Sequence, residues 1–277
     1  MYIDHLMSDV CASHADGVKN EVNEWVENAT KGLIKDLVSF FNPDTRIVLV
    51  NALYFKGIWE SIFDKSETKD RDFHLLNGEK VSVPFMTSEY GGSAEAFYGC
   101  FDGFKIVKLP YQKGEDGRQF SMYIFLPMEG DGLQKLIQQL ESNHWFLDQL
   151  SKLKQVILAA LYIPKFKFSF EFEPSEPIQE LGLIRPFSPL GEFTEMSSCP
   201  KSEDFCISRI IQKCYIEVNE EGTEAAAATE RDDMGCSLFD NPPPKPTFVA
   251  DHPFIFMIRE ESSGAVLFTG AVINPTL

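Results

Sequence analysis

The amino-terminal part of the chain has the spacing of an amphipathic helix. Between Val18 and Phe40, apolar residues recur three and four positions apart, which places them on one helix face. The apolar positions are Val18, Val22, Trp25, Val26, Ala29, Leu33 and Leu37. The pattern predicts a helix that packs against a core, and Asn42, Pro43 and Asp44 then end it.

Several later stretches predict strands and short helices. RIVLVNALYFKG is a β-branched and aromatic run that is too apolar for an exposed sheet edge. FKIVKLPY, near 104–111, and FSMYIFLP, near 120–127, flank a charged stretch that contains glycine, and they predict a β-hairpin with a longer loop. Helical spacing follows from Leu133 to Leu140 and from Trp145 to Leu153.

The stretch VILAALYIPKFKFSFEFE changes from continuous apolar residues to strict alternation. Phe166, Phe168, Phe170 and Phe172 alternate with Lys165, Lys167, Ser169 and Glu171. This period of two predicts a strand with its phenylalanines on one face and a solvated opposite face. IQELGLI predicts a short helix, and a loop rich in Pro, Ser and Gly follows over 185–203.

The chain finishes in two apolar runs. HPFIFMIRE and GAVLFTGAVINP are joined by residues 261–264, and their continuous hydrophobicity predicts a hairpin buried on both faces. Strands and helices alternate without a regular βαβ repeat, and no internal repeat is found. The predicted fold class is therefore α+β.

Composition narrows the classes of partner. The chain has 277 residues, 44% of them hydrophobic, and could form one large domain or two small ones. Its formal net charge of -17 argues against nucleic acid and anionic membrane surfaces as partners. The six cysteines have irregular spacings, so we expect free thiols and neither a zinc site nor a disulfide framework. No cofactor is implied. The lack of a signal peptide or membrane-spanning run leads us to expect a cytoplasmic protein.

Residues 220–246, EEGTEAAAATERDDMGCSLFDNPPPKP, have no apolar periodicity. An Ala-rich helix, or a disordered acidic linker that ends in a polyproline spacer, would suit the composition. The segment lies between the strand-like CYIEVN and the apolar carboxyl-terminal hairpin, so a compact domain must carry it as a long loop. Such loops are usually functional or disordered.

The same segment carries a family resemblance. EEGTEAAAAT, residues 220–229, resembles the hinge of inhibitory serpins, and FVADHPFIFMIRE with GAVLFTGAVINP resembles the strands that follow their reactive loop. VNALYFKGIWESIF and NEVNEWVENATKGLIKDLV resemble two further serpin segments, and FVADHPF and PPPKP look most like plant serpins. The resemblance implies one serpin domain over residues 1–277, with mixed sheets, surface helices and a reactive centre loop over 222–246. It also implies that the family's amino-terminal helices are missing.

The resemblance implies a suicide substrate for a serine protease, with cysteine proteases as the alternative target. The protease attacks the loop, and the freed loop inserts into the central sheet with the acylated protease attached. Hinge spacing places the scissile bond between Cys236 and Ser237, after Met234 and Gly235. The hinge residues are Glu220, Glu221, Gly222, Thr223, Glu224, Ala225, Ala226, Ala227, Ala228 and Thr229. Cys236 suits a shallow apolar specificity pocket, and cleavage after Arg231 by a trypsin-like protease stays an alternative.

Strand periodicity indicates how the inserted loop would face. Thr223, Ala225, Ala227 and Thr229 would face the core, and Glu224, Ala226, Ala228 and Glu230 would face solvent. The same period points Arg231 and Asp233 inwards, where burying charges costs several kcal/mol each unless they pair well. We therefore expect impaired insertion. A non-inhibitory serpin-like protein and an inactive truncated product are the alternatives, and no motif favours an enzyme.

Two further expectations follow from the resemblance. Lys165 and Glu220 are expected to form an ion pair at the base of the loop, the alternative being two solvated surface charges. Without the family's amino-terminal helices, the apolar faces of GAVLFTGAVINP and LVNALYFKG are expected to lose cover and to favour self-association. Family analogy also makes the extracellular space an alternative location.

Overall fold

A computed structural model describes residues 5–6, 15–42, 44–61, 63–87, 94–142, 145–189, 193, 205–223 and 244–276. The helices are α1 (Ala15–Ala29), α2 (Leu133–Ser142), α3 (Trp145–Leu150) and α4 (Ser175–Glu180), with a 3₁₀ turn at Arg185–Phe187. The strands are β1 (His5–Leu6), β2 (Ile47–Tyr54), β3 (Gly57–Ile58), β4 (Lys69–His74), β5 (Lys80–Met86), β6 (Ala94–Phe101), β7 (Phe104–Pro110), β8 (Phe120–Pro127), β9 (Lys154–Leu158), β10 (Ala160–Pro164), β11 (Phe166–Phe172), β12 (Ile207–Val218), β13 (Gly222–Thr223), β14 (Thr247–Val249), β15 (Phe254–Glu260) and β16 (Val266–Val272).

Helices and mixed sheets occur together, which confirms the predicted α+β class. The chain forms two compact units, one from Met1–Phe55 and Phe168–Ile216, the other from Lys56–Lys167 and Glu217–Leu277. Among the helices of the described ranges, none combines the length and the apolar character needed to cross a bilayer.

The first unit is built on a sheet with the order β1-β2-β12-β11. β2 is antiparallel to β1 and parallel to β12, and the β2–β12 register runs from Ile47 opposite Ile207 to Tyr54 opposite Tyr215. Apolar side chains of α1, including Val22 and Val26, pack in one cluster with β2 and β12. The predicted strand RIVLVNALYFKG is thus confirmed, and the expectation that LVNALYFKG would lose cover is wrong.

The predicted helix over 18–40 is wrong beyond Ala29. Lys31 and Gly32 adopt positive φ angles of 54° and 81°, which end the helix. The Gly32 amide donates to the Glu27 carbonyl at 2.7 Å and the Lys31 amide to Asn28 at 3.2 Å, the two bonds of a Schellman cap. The chain then returns without helix, although Ile34, Leu37 and Val38 are still buried in the same cluster.

The second unit contains a six-stranded sheet, a four-stranded sheet and a small two-stranded one. Their orders are β16-β15-β8-β7-β6-β9, β14-β10-β5-β4 and β13-β3. The predicted hairpin of FKIVKLPY and FSMYIFLP is confirmed as the antiparallel pair β7–β8, and the carboxyl-terminal hairpin as β15–β16. Helices α2 and α3 also begin where the sequence predicted.

Three predictions about burial or boundaries are wrong. β16 is an edge strand with β15 as its neighbour in the sheet, so it is only partly buried and Val266 is 47% exposed. β11 is also at an edge, and of the predicted apolar face Phe166 is buried whereas Phe170 is 58% exposed. The short helix predicted at IQELGLI begins earlier, at Ser175, and ends before Gly182, which has a φ of 98°.

Candidate functional site

The candidate site is the base of the segment that the sequence predicts to be a bait loop. The proposed reactive bond, Cys236 and Ser237, and its flanking residues Met234 and Gly235 lie outside the described residues. The same holds for the hinge residues 224–229 and for Arg231 and Asp233. The structure describes the two ends of the segment, residues 217–223 before it and 244–252 after it.

The chain reverses direction immediately after β12. The Asn219 amide donates to the Gly222 carbonyl at 3.0 Å, and the Gly222 amide donates back to the Asn219 carbonyl at 3.2 Å. Residues 222–223 then form β13, which is antiparallel to β3. A tight turn therefore closes the end of β12 and starts the hinge segment in the opposite direction.

Gly222 occupies a position that excludes a side chain. Its φ of 127° is in a region that L-residues rarely adopt. A Cβ at Gly222 would also clash with the Gly57 carbonyl oxygen and lie 2.8 Å from the Ile58 Cα and the Trp59 amide nitrogen. The sequence analysis names this glycine as a hinge residue, and the structure adds a close approach between two backbone segments.

The carboxylate of Glu220 is buried and hydrogen bonded at the same turn. Its side chain is 4% exposed, and Lys165, whose side chain is 34% exposed, donates through Nζ to Oε2 at 2.9 Å and to Oε1 at 3.1 Å. The Thr68 hydroxyl donates to Oε1 at 2.8 Å. The structure thus brings Lys165 and Glu220 together and adds Thr68, which the sequence did not indicate.

Two opposing effects set the protonation state of Glu220. Burial alone would raise the pKa of its carboxyl group, but hydrogen bonds from Lys165, from the backbone and from Thr68 together lower it below the usual value. The side chain is therefore an ionised acceptor at neutral pH. We call the contacts of Glu220 with Lys165 and Thr68 the Glu220 clamp.

Trp59 holds the backbone of the turn from the other side. Its indole N–H donates to the Asn219 carbonyl at 2.9 Å, and its amide donates to the Glu221 carbonyl at 3.0 Å. The buried ring stacks on Tyr111 with centroids 4.3 Å apart. Glu221 itself pairs with Lys65 at the surface. Trp59 lies in the quoted motif VNALYFKGIWESIF, but its contacts join residues 160 positions apart and could not be seen in the sequence.

The other end of the segment is held mainly by strand pairing. β14 is parallel to β10, with Phe248 opposite Leu161, and Phe248 is fully buried. Hydrogen bonds extend this pairing, from the Ala159 amide to Pro246 at 2.8 Å and from the Ala250 amide to Tyr162 at 2.9 Å. The chain is thus fixed within three residues of position 243.

The described side chains at the base of the loop make contacts within the chain. Within the described ranges, no group of His, Cys, Asp or Glu is arranged to hold a metal ion. Cys100, Cys206 and Cys214 have free thiols. The arrangement can present a long segment between two fixed ends and can hold its amino-terminal end by a few polar contacts.

Comparisons with known proteins agree on one family. The family model described as Serpin (serine protease inhibitor) matches residues 2–275. Serpin-ZXA of Oryza sativa subsp. japonica is 47% identical over 262 residues, which cover 94% of this chain and 64% of the rice protein. Serpin-Z10 of Arabidopsis thaliana is 46% identical over 270 residues, covering 96% and 68%. The chain thus spans about two thirds of the length of these curated relatives.

Solved structures give the same result. The native stressed conformation of Arabidopsis AtSerpin1 matches with a TM-score of 0.76 and 41% identity, over 94% of this chain and 66% of that one. Serpin48 of the insect Tenebrio molitor matches with a TM-score of 0.70 and 31% identity, over 94% and 65%. Both sequence and fold therefore agree with the resemblance of the hinge and the carboxyl-terminal strands.

Proposed function

This chain belongs to the serpin family, and we propose that it acts as a serine-type endopeptidase inhibitor that offers its reactive centre loop, residues 222–246, to a target protease as a suicide substrate. The partner is a serine protease, with a cysteine protease as the alternative. The protein itself is proposed to be an inhibitor and not an enzyme. The observation that carries the proposal is the turn at Asn219 and Gly222, after which the chain runs in the direction opposite to β12.

Strand geometry supports an insertion step. β2 and β12 are parallel neighbours, so a strand that returns from the end of β12 would be antiparallel to both. Inserting it between them would replace one parallel pairing by two antiparallel pairings, which are slightly more stable per residue. Strand addition within one chain, of which serpin loop insertion is a known example, uses main-chain hydrogen bonds in this way.

The composition of the loop opposes complete insertion. Alternation from Thr223 places Ala225, Ala227 and Thr229 inwards, and these small residues fit between neighbouring strands. It also places Arg231 and Asp233 inwards, and burial of each charge costs several kcal/mol unless the two pair well. We therefore propose a protein that is cleaved at Cys236–Ser237 more often than it traps its protease.

A non-inhibitory serpin-like protein is the second candidate, and Arg231 with Asp233 favours it. An inactive product is the third, and the exposed side chains of Phe170 and Val266 favour it. These candidates differ from the first in forming no covalent complex under any change to the loop.

The test is a denaturing gel after incubation with chymotrypsin-like, elastase-like and papain-like proteases. We expect mostly cleaved chain, with a carboxyl-terminal fragment that begins at Ser237, and little complex that survives denaturation. Replacing Arg231→Ala together with Asp233→Ile is expected to increase the complex at least tenfold, because the inward-facing charges are removed. Asp232→Ala is the matched control, since this neighbouring charge faces solvent in the same alternation.

Three results would contradict the proposal. Abundant complex from the unchanged chain would refute the impairment, and a fragment that begins elsewhere would refute the reactive bond. No complex from the double variant with any of the proteases would favour the non-inhibitory candidate.

A further inference from the structure

His252 lies between two hydrogen-bond acceptors just after the candidate loop. Its Nδ1 is 2.8 Å from the Asp251 carboxylate, and its Nε2 is 2.8 Å from the backbone carbonyl of Pro127. The His252 side chain is 14% exposed and the Asp251 side chain is 39% exposed, so water has less access to the ring than to the carboxylate. A carbonyl oxygen can only accept a hydrogen bond, and so can an ionised carboxylate.

Only one protonation state of His252 satisfies both contacts. A neutral imidazole carries a single N–H and can donate to Asp251 or to Pro127, but not to both. The imidazolium carries two N–H groups and can donate to both at once. Both contacts can therefore be hydrogen bonds at the same time only when the ring is protonated.

The electrostatic surroundings agree with this state. Burial by itself lowers the pKa of His252, but the hydrogen bonds to Asp251 and Pro127 and the charge of Asp251 outweigh it, so the pKa lies above its usual value. Lys105 acts in the opposite direction. The hydrogen bond from His252 is also the main cause that lowers the pKa of Asp251, to which the charge of His74 contributes.

The contact ties the end of the loop to the six-stranded sheet. We call residues 247–252 the post-loop segment. Its strand β14 pairs with β10, the Asp251 carbonyl accepts from the His74 amide at 2.7 Å, and Lys105 donates to the Thr247 carbonyl at 3.2 Å. Pro127 is the last residue of β8, so His252 connects the segment to a strand that the chain completed 125 residues earlier.

We propose that His252 is a pH-responsive clamp that holds the post-loop segment to the end of β8 when protonated and releases it on deprotonation. The proposal rests on the proposed function only in regarding residues 222–246 as the reactive centre loop. The clamp itself involves described residues alone, and its test does not require a protease.

The direction of the effect follows from linkage. Because the pKa of His252 in the folded chain is raised, its stabilising contribution is complete below its ordinary pKa of about 6.5 and is lost as the pH rises through the folded value. Asp251 faces the ring from the same segment and Lys105 acts on it from β7. The His74 ring of β4 lies 3.1 Å from the Asp251 carbonyl oxygen. His74 is the other group near the contact whose ordinary pKa is close to neutral, and it must be separated from His252 in the test.

The experiment is hydrogen exchange of the 277-residue chain at pH 6, 7, 8 and 9, corrected for the intrinsic pH dependence of exchange. We expect protection of the peptide covering 247–252 to fall at least tenfold between pH 6 and pH 9. Peptides from the hairpin of β15 and β16 should change much less. His252→Gln should hold protection near the pH 9 level of the unchanged chain at every pH, since its side chain cannot be protonated in this range, and the pH dependence should disappear.

Two further variants separate the clamp from its neighbours. His252→Arg keeps a charge and several donors, so protection should stay high across the range. His74→Gln is the matched control and should keep the loss at high pH. Equal protection of the unchanged chain at pH 6 and pH 9 would overturn the proposal, and so would loss of the pH dependence in His74→Gln alone.

A second measurement decides the matter if the His252 variants do not fold. Titration of the histidine rings of the unchanged chain by NMR should give His252 a pKa above about 6.5 and a doubly protonated ring at pH 6. A neutral His252 ring at pH 6 would contradict the proposed role of His252. Absence of covalent complex from the variant carrying Arg231→Ala and Asp233→Ile would count against the proposed inhibition and leave the His252 result unchanged.

Discussion

The two ends of the proposed reactive centre loop, residues 222–246, are fixed by different sets of contacts. At the amino-terminal end, one buried carboxylate, Glu220, is held by side-chain hydrogen bonds from Lys165 and Thr68. At the carboxyl-terminal end, β14 is held by main-chain pairing with β10 and by the fully buried ring of Phe248. The amino-terminal end therefore depends on a tight turn, a two-residue strand and a few polar side chains. The carboxyl-terminal end depends on a three-residue strand and its buried core residue.

The difference indicates which end can move. Side-chain hydrogen bonds can be exchanged one at a time, and each bond to a charged group contributes about 1.5–3 kcal/mol. Strand pairing with a buried phenylalanine must be broken together, and loss of such a ring costs about 3–5 kcal/mol. Movement at the turn of Asn219 and Gly222 is therefore less costly than movement of β14, which agrees with a hinge on the amino-terminal side.

The largest effect at the amino-terminal end is expected from Gly222→Ala. The positive φ and the clash with the Gly57 carbonyl together should lower the free energy of unfolding by about 3 kcal/mol, measured by urea denaturation. Gly78→Ala is the matched control, because Gly78 has a φ of 84° and no atom within 4 Å of an added Cβ. It should cost about 1 kcal/mol. Equal costs at the two positions would mean that the close approach of β3 and β13 is unimportant.

A smaller effect is expected from Lys165→Ala. The change leaves the Glu220 carboxylate buried with only Thr68 as its side-chain partner, and the free energy of unfolding should fall by about 2 kcal/mol. This is less than for a fully buried pair because Lys165 is 34% exposed. Lys80→Ala is the control, since the Lys80 and Asp72 pair is exposed on both sides and should contribute less than about 0.5 kcal/mol.

The pH dependence of the Lys165 effect tests its cause. The pKa of Glu220 is lowered in the folded chain, so the Glu220 clamp stabilises the fold fully above the ordinary pKa of about 4.3. This contribution is lost as the pH falls through the pKa of the folded chain. The difference between the unchanged chain and Lys165→Ala should therefore shrink below about pH 4. A difference that stays constant from pH 7 to pH 3 would show that lost packing, and not charge, causes it.

The sequence predicted the positions of the strands better than their burial and better than the end of the first helix. Alternation and apolar runs were sufficient for the pairs β7–β8 and β15–β16 because both strands of each pair lie close together in the chain. The exposure of Val266 and Phe170 could not be predicted, since it depends on which strands become sheet edges. The predicted helix extended past Ala29 because apolar spacing continues beyond the helix cap, which is recognised by the positive φ angle of Lys31. Gly32 was the sequence signal that could have indicated the end of the helix.

The sequence likewise indicated some residues of the candidate site and missed others. Lys165 and Glu220 came from the family resemblance, and the structure places them in contact. Thr68 and Trp59 were missed because they reach the turn across 152 and 160 positions of sequence. His252 stands in the quoted motif FVADHPF, but the two acceptors on either side of its ring become apparent only when Pro127 is brought beside it.

The most direct test of loop insertion is the thermal midpoint before and after the loop is cut. After cleavage at Cys236–Ser237, verified by mass, the unchanged chain and Asp232→Ala should change by less than about 3 °C, because the charges of Arg231 and Asp233 oppose insertion. The variant carrying Arg231→Ala and Asp233→Ile should rise by about 10 °C, since each kcal/mol gained from an added strand raises the midpoint by about 2–4 °C. A rise of the same size in the unchanged chain would contradict the idea that these two charges impair insertion.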